Sequence, residues 1–294
     1  MHNDITVAFP GLGIEGGNID SVAFTLPIGE GFSVMWYGVV IAIGMLLAIT
    51  YAALRCKQAN ISIDHLTDIA IFTIFFGVIG ARLYYVIFNP SGFKSILDVL
   101  NLRSGGLAIY GGVIAGAITI LVCCKIKKLN WRTLFDCVAP GVMIAQAMGR
   151  WGNFFNGEAY GGLVEEGNPL YFLRMGLISS NTRYDFGTTE MVYVHPTFLY
   201  ESLWNVIGFV IINIIFKKKK FEGQNALYYF AWYGFGRMFI EGLRTDALYI
   251  GNTGIRVSQL LGFLLFCVST ALIVYGLIVT KKNETPVAAE EKVD

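Results

Sequence analysis

Charge is scarce in this chain. Only 15% of its 294 residues are Asp, Glu, Lys or Arg, against about a quarter in a soluble protein. With 55% hydrophobic residues and a mean hydropathy of +0.58, that deficit excludes an ordinary water-soluble domain. It indicates an integral membrane protein. A net charge of +1 leaves no overall field for nucleic acid, so no nucleic-acid partner is expected. The three histidines, His2, His65 and His195, are too scattered for a metal cluster at ligand spacing. No metal and no cofactor is expected. Cys56, Cys123, Cys124, Cys137 and Cys267 lie in apolar runs or beside basic loops, which excludes a disulfide framework. The first 32 residues hold no Lys or Arg, so they lack the basic start of a secretory signal. They hold acids and glycines instead, and are expected to form an exposed, partly ordered arm over residues 1–30.

What is abundant is apolar sequence in long runs. A bilayer core takes about 20 apolar residues per helix, and 31–54, 104–124 and 257–280 meet that length without a charge. Four further runs are interrupted: 66–90 by Asp68 and Arg82, 133–150 by Asp136 and Arg150, 197–216 by Glu201, and 224–243 by Arg237 and Glu241. The expected fold is an all-α polytopic membrane protein with seven transmembrane helices over residues 31–280. Residues 151–194, between spans four and five, are polar and too short for a domain of their own. They are expected to form a small extracytoplasmic head.

Basic residues set the expected orientation. Twelve of the 22 Lys and Arg fall in alternate loops: Arg55 and Lys57; Lys125, Lys127, Lys128 and Arg132; Lys217 to Lys220; Lys281 and Lys282. The positive-inside rule then places the N-terminus outside and the C-terminus in the cytoplasm. Residues 281–294 are expected to be a disordered, solvated cytoplasmic tail.

Ionisable groups inside spans are costly, and so are functional candidates. Arg82, Glu201, Arg237 and Glu241 qualify, with Arg150 and Glu158 near an outer boundary. Each could instead serve as an ion-pair partner between helices. In "RMFIEGLR", Glu241 falls about 40° from Arg237 around a helix and Arg244 about 20° from it, so the three share one face. Their excess positive charge suits an anionic ligand; a pure ion-pair knot would need a further acid, which Glu158 or Glu201 could supply. The glycines of "SGGLAIYGGVIAGA" allow close helix packing at Gly112 and Gly116, and a kink with close ligand approach around Tyr110. His195 precedes Pro196, where it is either a helix-start residue or a catalytic group. Tyr37 in "WYG" stands at a boundary where aromatics commonly form an interfacial belt.

The stretch "GRWGNFFNGEAYGG" carries a more specific pattern. It resembles the signature G-R-x-G-N-F-x-N-x-E-x-x-G of the bacterial phosphatidylglycerol–prolipoprotein diacylglyceryl transferases. Gly149, Arg150, Gly152, Asn153, Phe154, Asn156, Glu158 and Gly161 fill it without exception. The similarity extends to "WYG" at Tyr37, "GARLYY" at Arg82, the Tyr110 segment, "HP" and "LYE" at 195–201, and "GFGRMFIEGLR" at 234–244. One position departs. Well-known members carry a histidine between the glycine pairs, a proposed base, where this chain has Tyr110.

The resemblance implies transfer of the sn-1,2-diacylglyceryl group of phosphatidylglycerol to the lipobox cysteine of a preprolipoprotein signal peptide. Such an enzyme works in the bacterial plasma membrane, with the lipid bilayer as its medium. Arg150 and Arg237 would hold the phosphate and the charge that develops on it, supported by Arg244 and Arg82. Asn153, Asn156, Glu158, Gly161, Tyr37 and Glu241 would complete the lipid site. Tyr110 and His195 are candidates to assist the thiol, which must become a thiolate. The rival expectation is a transporter or lipid-binding protein whose arginines hold an organic anion, although no internal repeat supports it. No serine–lysine or paired-aspartate arrangement in the spans supports an intramembrane protease.

Overall fold

The computed structural model describes residues 5–29, 31–93, 95–102 and 105–290. Its elements in chain order are β1 (Ile5–Phe9), β2 (Ile14–Ile19), β3 (Val22–Leu26), β4 (Phe32–Met35), α1 (Trp36–Gln58), α2 (Ile63–Phe88), α3 (Ile96–Leu100), α4 (Ile109–Ile126) and α5 (Trp131–Phe155). They continue with β5 (Met175–Ile178), α6 (Ser180–Phe186), β6 (Val192–Val194), α7 (Thr197–Ile215), α8 (Gln224–Leu243) and α9 (Val257–Glu290). Each of the seven apolar runs lies largely within one long helix. Five of these, α1, α2, α4, α7 and α9, are long and apolar enough to cross a membrane. α5 and α8 have the length, at 25 and 20 residues, but carry the charged and polar residues of the site.

The chain divides into two compact units, residues 1–48 with 139–294, and residues 49–138. In the second, α2 and α4 pack closely. Gly80 and Gly111 face each other backbone to backbone, with no room for a Cβ on either. Close packing was expected of Gly112 and Gly116, but there a Cβ would meet its nearest neighbours at ordinary distances of 3.4 Å. Small buried cysteines fill the rest of this core: Cys56, Cys123, Cys124 and Cys137 pack with Ala52, Leu66, Ile69 and Leu134. Asp68, the acid in the second apolar run, reaches Lys127 Nζ at 2.6 Å near the ends of α2 and α4.

In the first unit, α7 and α8 interlock through Trp204 and Trp232. Their rings stack at 4.2 Å, and each indole N–H donates to the other's backbone carbonyl at 2.9 Å. Gly208 and Gly236 leave the space those rings occupy. α9 meets α8 at Gly262 and Gly234, where a Cβ on Gly234 would come within 2.6 Å of the Gly262 carbonyl oxygen.

Three expectations are corrected here. The fold is not all-α: an antiparallel sheet of order β2-β1-β5-β6 and a separate β3-β4 pair accompany the helices. The described part of the N-terminal arm is also not simply exposed. β1 is a central strand, paired with β5 through Thr6, Val7 and Ala8, and Ile5 is 0% exposed. Alternating Ile5 and Val7 bury one face of β1 against Tyr160, Met175, Leu177, Val194 and Phe198, the period-2 pattern of a half-buried strand. Residues 1–4 and 30 of that arm lie outside the described residues. The tail expected to be unstructured continues α9 through Glu290, where alanine and glutamate favour helix; residues 291–294 lie outside the described residues.

Candidate active site

The signature begins inside α5 and ends beyond it. Arg150 and Asn153, three residues apart, share a helix face, and Arg150 Nη1 donates to Asn153 Oδ1 at 3.3 Å. The helix stops after Phe155, where Gly157 takes a left-handed conformation with φ of 58° that glycine adopts without steric cost. The chain therefore curls back, and the Glu158 amide donates to the Asn153 carbonyl at 3.1 Å. Glu158 Oε1 then accepts from Asn153 Nδ2 at 3.0 Å and Asn156 Nδ2 at 3.2 Å. Both signature asparagines thus hold the signature glutamate.

Glu201 on α7 joins this corner to α8. Its side chain is 3% exposed, and Oε1 lies 2.7 Å from Arg150 Nη2 while Oε2 accepts from Arg237 Nη1 at 2.8 Å. Arg237 Nη2 meets Glu241 Oε2 at 2.6 Å one turn along α8. Two arginines and two carboxylates therefore alternate in a buried chain. The excess positive charge expected from "RMFIEGLR" is balanced here by Glu201, the acid that an ion-pair knot requires. Arg150 is the more open arginine, with a side chain 20% exposed against 13% for Arg237. Its contacts with Glu201 and Asn153 engage two of five N–H donors.

Arg244 departs from its expected position on the Arg237–Glu241 face. α8 ends at Leu243 and Arg244 is extended, with ψ of 145°, so helical spacing no longer directs its side chain. It grips Asp246 with two hydrogen bonds, Nε to Oδ1 at 2.9 Å and Nη2 to Oδ2 at 2.7 Å. Burial pushes the Asp246 carboxyl up, but the Arg244 hydrogen bonds and charge outweigh it and hold the group below the ordinary carboxylate value. Arg256, at the entrance to α9, donates to the carbonyls of Glu241 and Arg244, acceptors that a helix end leaves open.

Gly161 is the knot of the loop after α5. Its amide donates to the His195 carbonyl at 2.9 Å, and the Gly162 amide to the Leu243 carbonyl at 2.8 Å. A Cβ on Gly161 would meet His195 Cβ at 2.7 Å and the Leu243 oxygen at 2.8 Å. Gly161 therefore serves close backbone approach of three segments, a packing role beside the lipid-site role expected of it. His195 is 6% exposed, its Nδ1 lies 3.2 Å from the Tyr200 hydroxyl, and burial lowers its pKa. Burial thus favours the neutral imidazole over the charged form. The Tyr160 hydroxyl donates to Asp185 Oδ2 at 2.6 Å; burial first, then that carboxylate, raise its pKa. Tyr37, in the first turn of α1, lays its ring where a Cβ on Gly152 would fall, 2.8 Å from Tyr37 Cδ2. The glycine of the signature is thus the seat of that tyrosine.

Arg82 and Tyr110 belong to the second unit. Arg82 was expected to hold substrate, but its five N–H donors go to backbone carbonyls. Nε donates to Val99 at 2.7 Å, Nη1 to Gly105 at 2.5 Å and Gly106 at 3.0 Å, and Nη2 to Asp98 at 2.7 Å and Asn101 at 3.0 Å. It is a loop staple, 5% exposed. Gly105 and Gly106 are left-handed, with φ of 78° and 76°, and a Cβ on Gly106 would strike Arg82 and Tyr85. Tyr110, in the first turn of α4, is half-buried and its ring lies 6.4 Å from that of Tyr84. The sequence analysis missed Asp246 and Arg256 as site supports; the pairing of Arg244 with an acid two residues on was the available signal.

Five helices of membrane-crossing length, in a chain that also holds a buried arginine–carboxylate chain, indicate a polytopic membrane protein. Residues 22–275 match the family described as prolipoprotein diacylglyceryl transferase. The chain is 41% identical over 262 residues to a Clostridium kluyveri protein named phosphatidylglycerol–prolipoprotein diacylglyceryl transferase, covering 87% of this chain and 96% of that one. It is 43% identical over 269 residues to a Staphylococcus aureus protein of the same name, covering 91% and 92%. The chain belongs to the prolipoprotein diacylglyceryl transferase family.

Proposed function

We infer that this chain transfers the diacylglyceryl group of phosphatidylglycerol to the cysteine thiol of a prolipoprotein, the first step of lipoprotein maturation. The observation that carries this is the joining of Arg150, from the filled family signature, to Arg237 through Glu201. In the reaction the thiolate sulfur attacks the sn-3 carbon of the diacylglyceryl group. A C–S bond forms, the C–O bond to phosphate breaks, and glycerol phosphate leaves with one more negative charge. Donors aimed at that developing charge lower the barrier more than uniform binding does.

Arg150 and Arg237 act as hydrogen-bond donors to the phosphate, with Glu201 and Glu241 holding their guanidinium planes in place. Glu158, fixed by Asn153 and Asn156, orients the headgroup; Tyr37 and Gly161 shape the site. Arg244 supports it through its Asp246 pair. On the resemblance alone, Tyr110 gives its hydroxyl to phosphate or glycerol oxygens. His195, neutral and buried, is a candidate acceptor for the thiol proton. The substrate peptide presents its cysteine in a lipobox.

The proposed topology has seven spans in a bacterial plasma membrane, with α5 and α8 as spans four and six. The N-terminus and the head at 151–194 face outward and the C-terminus is cytoplasmic, as supported by the cations at Lys125–Lys128 and Lys217–Lys220. The test is incubation of purified protein with acyl-labelled phosphatidylglycerol and a lipobox peptide. Label on the peptide cysteine supports the transferase; lipid binding without label on the peptide supports the transporter or lipid-binding alternative. Reporter fusions after Lys128 and Lys220 should report cytoplasm and one at Glu166 the outside.

A further inference from the structure

The helices carrying the arginine–carboxylate chain have a second polar layer one turn from it. Two relations fix the register of α5 against α7: Arg150 pairs with Glu201, and Met143 fills the space beside Gly208. Each step covers seven residues, in opposite directions, so the helices are antiparallel. Gln146, four residues before Arg150, is then level with Asn205, four residues after Glu201. Four residues of helix rise about 6 Å. Tyr229 on α8 reaches the same layer, its hydroxyl accepting from Gln146 Nε2 at 3.1 Å.

Both amides keep an unmatched acceptor. Asn205 is 0% exposed and its Nδ2 donates to the Glu201 carbonyl at 2.8 Å. That bond fixes the amide orientation and leaves Oδ1 without a partner. Gln146 Oε1 is likewise buried and without a partner. A buried acceptor lacking a donor costs about 1–3 kcal/mol, and few are left so. Gln146, Asn205 and Tyr229 carry no formal charge, so the two unmatched oxygens suit a neutral group that donates hydrogen bonds, such as a hydroxyl.

We propose that Gln146 and Asn205 form a neutral hydroxyl-binding subsite one turn beneath the arginine–carboxylate chain. Its ligand donates two O–H bonds, from the glycerol headgroup of phosphatidylglycerol or from a bound water. The subsite rests on the transferase function proposed above. On this proposal the headgroup of a lipid whose phosphate is held by Arg150 extends toward this layer, so the arginines and the amides recognise one lipid.

The test uses the full-length protein in vesicles, as parent, Gln146→Met, Asn205→Leu and the double variant. It measures KM and kcat for phosphatidylglycerol, and the inhibition constant of phosphatidylethanol, whose headgroup has no hydroxyl. A headgroup occupant predicts that KM rises roughly five- to tenfold in each single variant and little further in the double, because one ligand is shared. The phosphatidylethanol constant stays unchanged. A bound water predicts a fall in kcat that is likewise not compounded in the double, with both lipid constants unchanged. Unaltered kinetics, multiplicative losses in the double, or parallel weakening of both lipids would overturn the subsite. No transfer by the parent would instead overturn the transferase function.

Discussion

Arg237 and Glu201 meet at 2.8 Å across α8 and α7, although 36 residues separate them in sequence. Glu201 also contacts Arg150, so one carboxylate joins three helices. Removing half of a buried ion pair strands the other charge, at about 3–5 kcal/mol. Glu201→Gln is therefore expected to lower the melting temperature in detergent and reduce accumulation, as well as activity. A Glu201→Gln protein that melts with the parent would show that the chain of ion pairs does not hold these helices.

The five carbonyl contacts of Arg82 predict a different phenotype from loss of a lipid ligand. Arg82→Ala should release the segment between Asp98 and Gly106, read as faster limited proteolysis there. KM for phosphatidylglycerol should change less than proteolysis does. A large KM increase with unchanged proteolysis would return Arg82 to substrate binding.

His195 gives a pH prediction. Its folded pKa lies below the ordinary value, so the unfolded chain takes up a proton before the folded one. Stability from this group is present above about pH 6.5 and declines as pH falls toward the folded value. In melts between pH 7.5 and 5, His195→Asn should show a shallower acid decline than the parent. An unchanged slope would mean that His195 does not titrate differently in the folded state.

The long helices and the signature were legible because each is written locally. Apolar runs need no partner to be recognised, and Arg150, Asn153, Asn156 and Glu158 lie within nine positions. Glu201 was visible as a charge in an apolar run, but its two arginines come from other helices, and spacing carries no record of them. The loop contacts of Arg82 were not legible, because its partners are backbone carbonyls, which have no sequence signal. Arg244 was misplaced because helical angles were extended one residue past the end of α8. The arm was read by its acids and glycines, which hid the alternation of Ile5 and Val7 that makes β1 a central strand.

The central claim, that Arg150 and Arg237 hold the phosphate as the C–O bond breaks, is tested most directly by Arg237→Lys. Lysine keeps the charge and loses the planar fork. Measured as single-turnover transfer from labelled phosphatidylglycerol to a lipobox peptide, with a melting curve on the same sample, the variant should be about 10- to 100-fold slower. Its melting temperature should stay within a few degrees of the parent, because Glu201 and Glu241 still face a cation. Parental transfer by Arg237→Lys protein of parental stability would contradict the claim and leave Arg237 as a structural ion-pair partner.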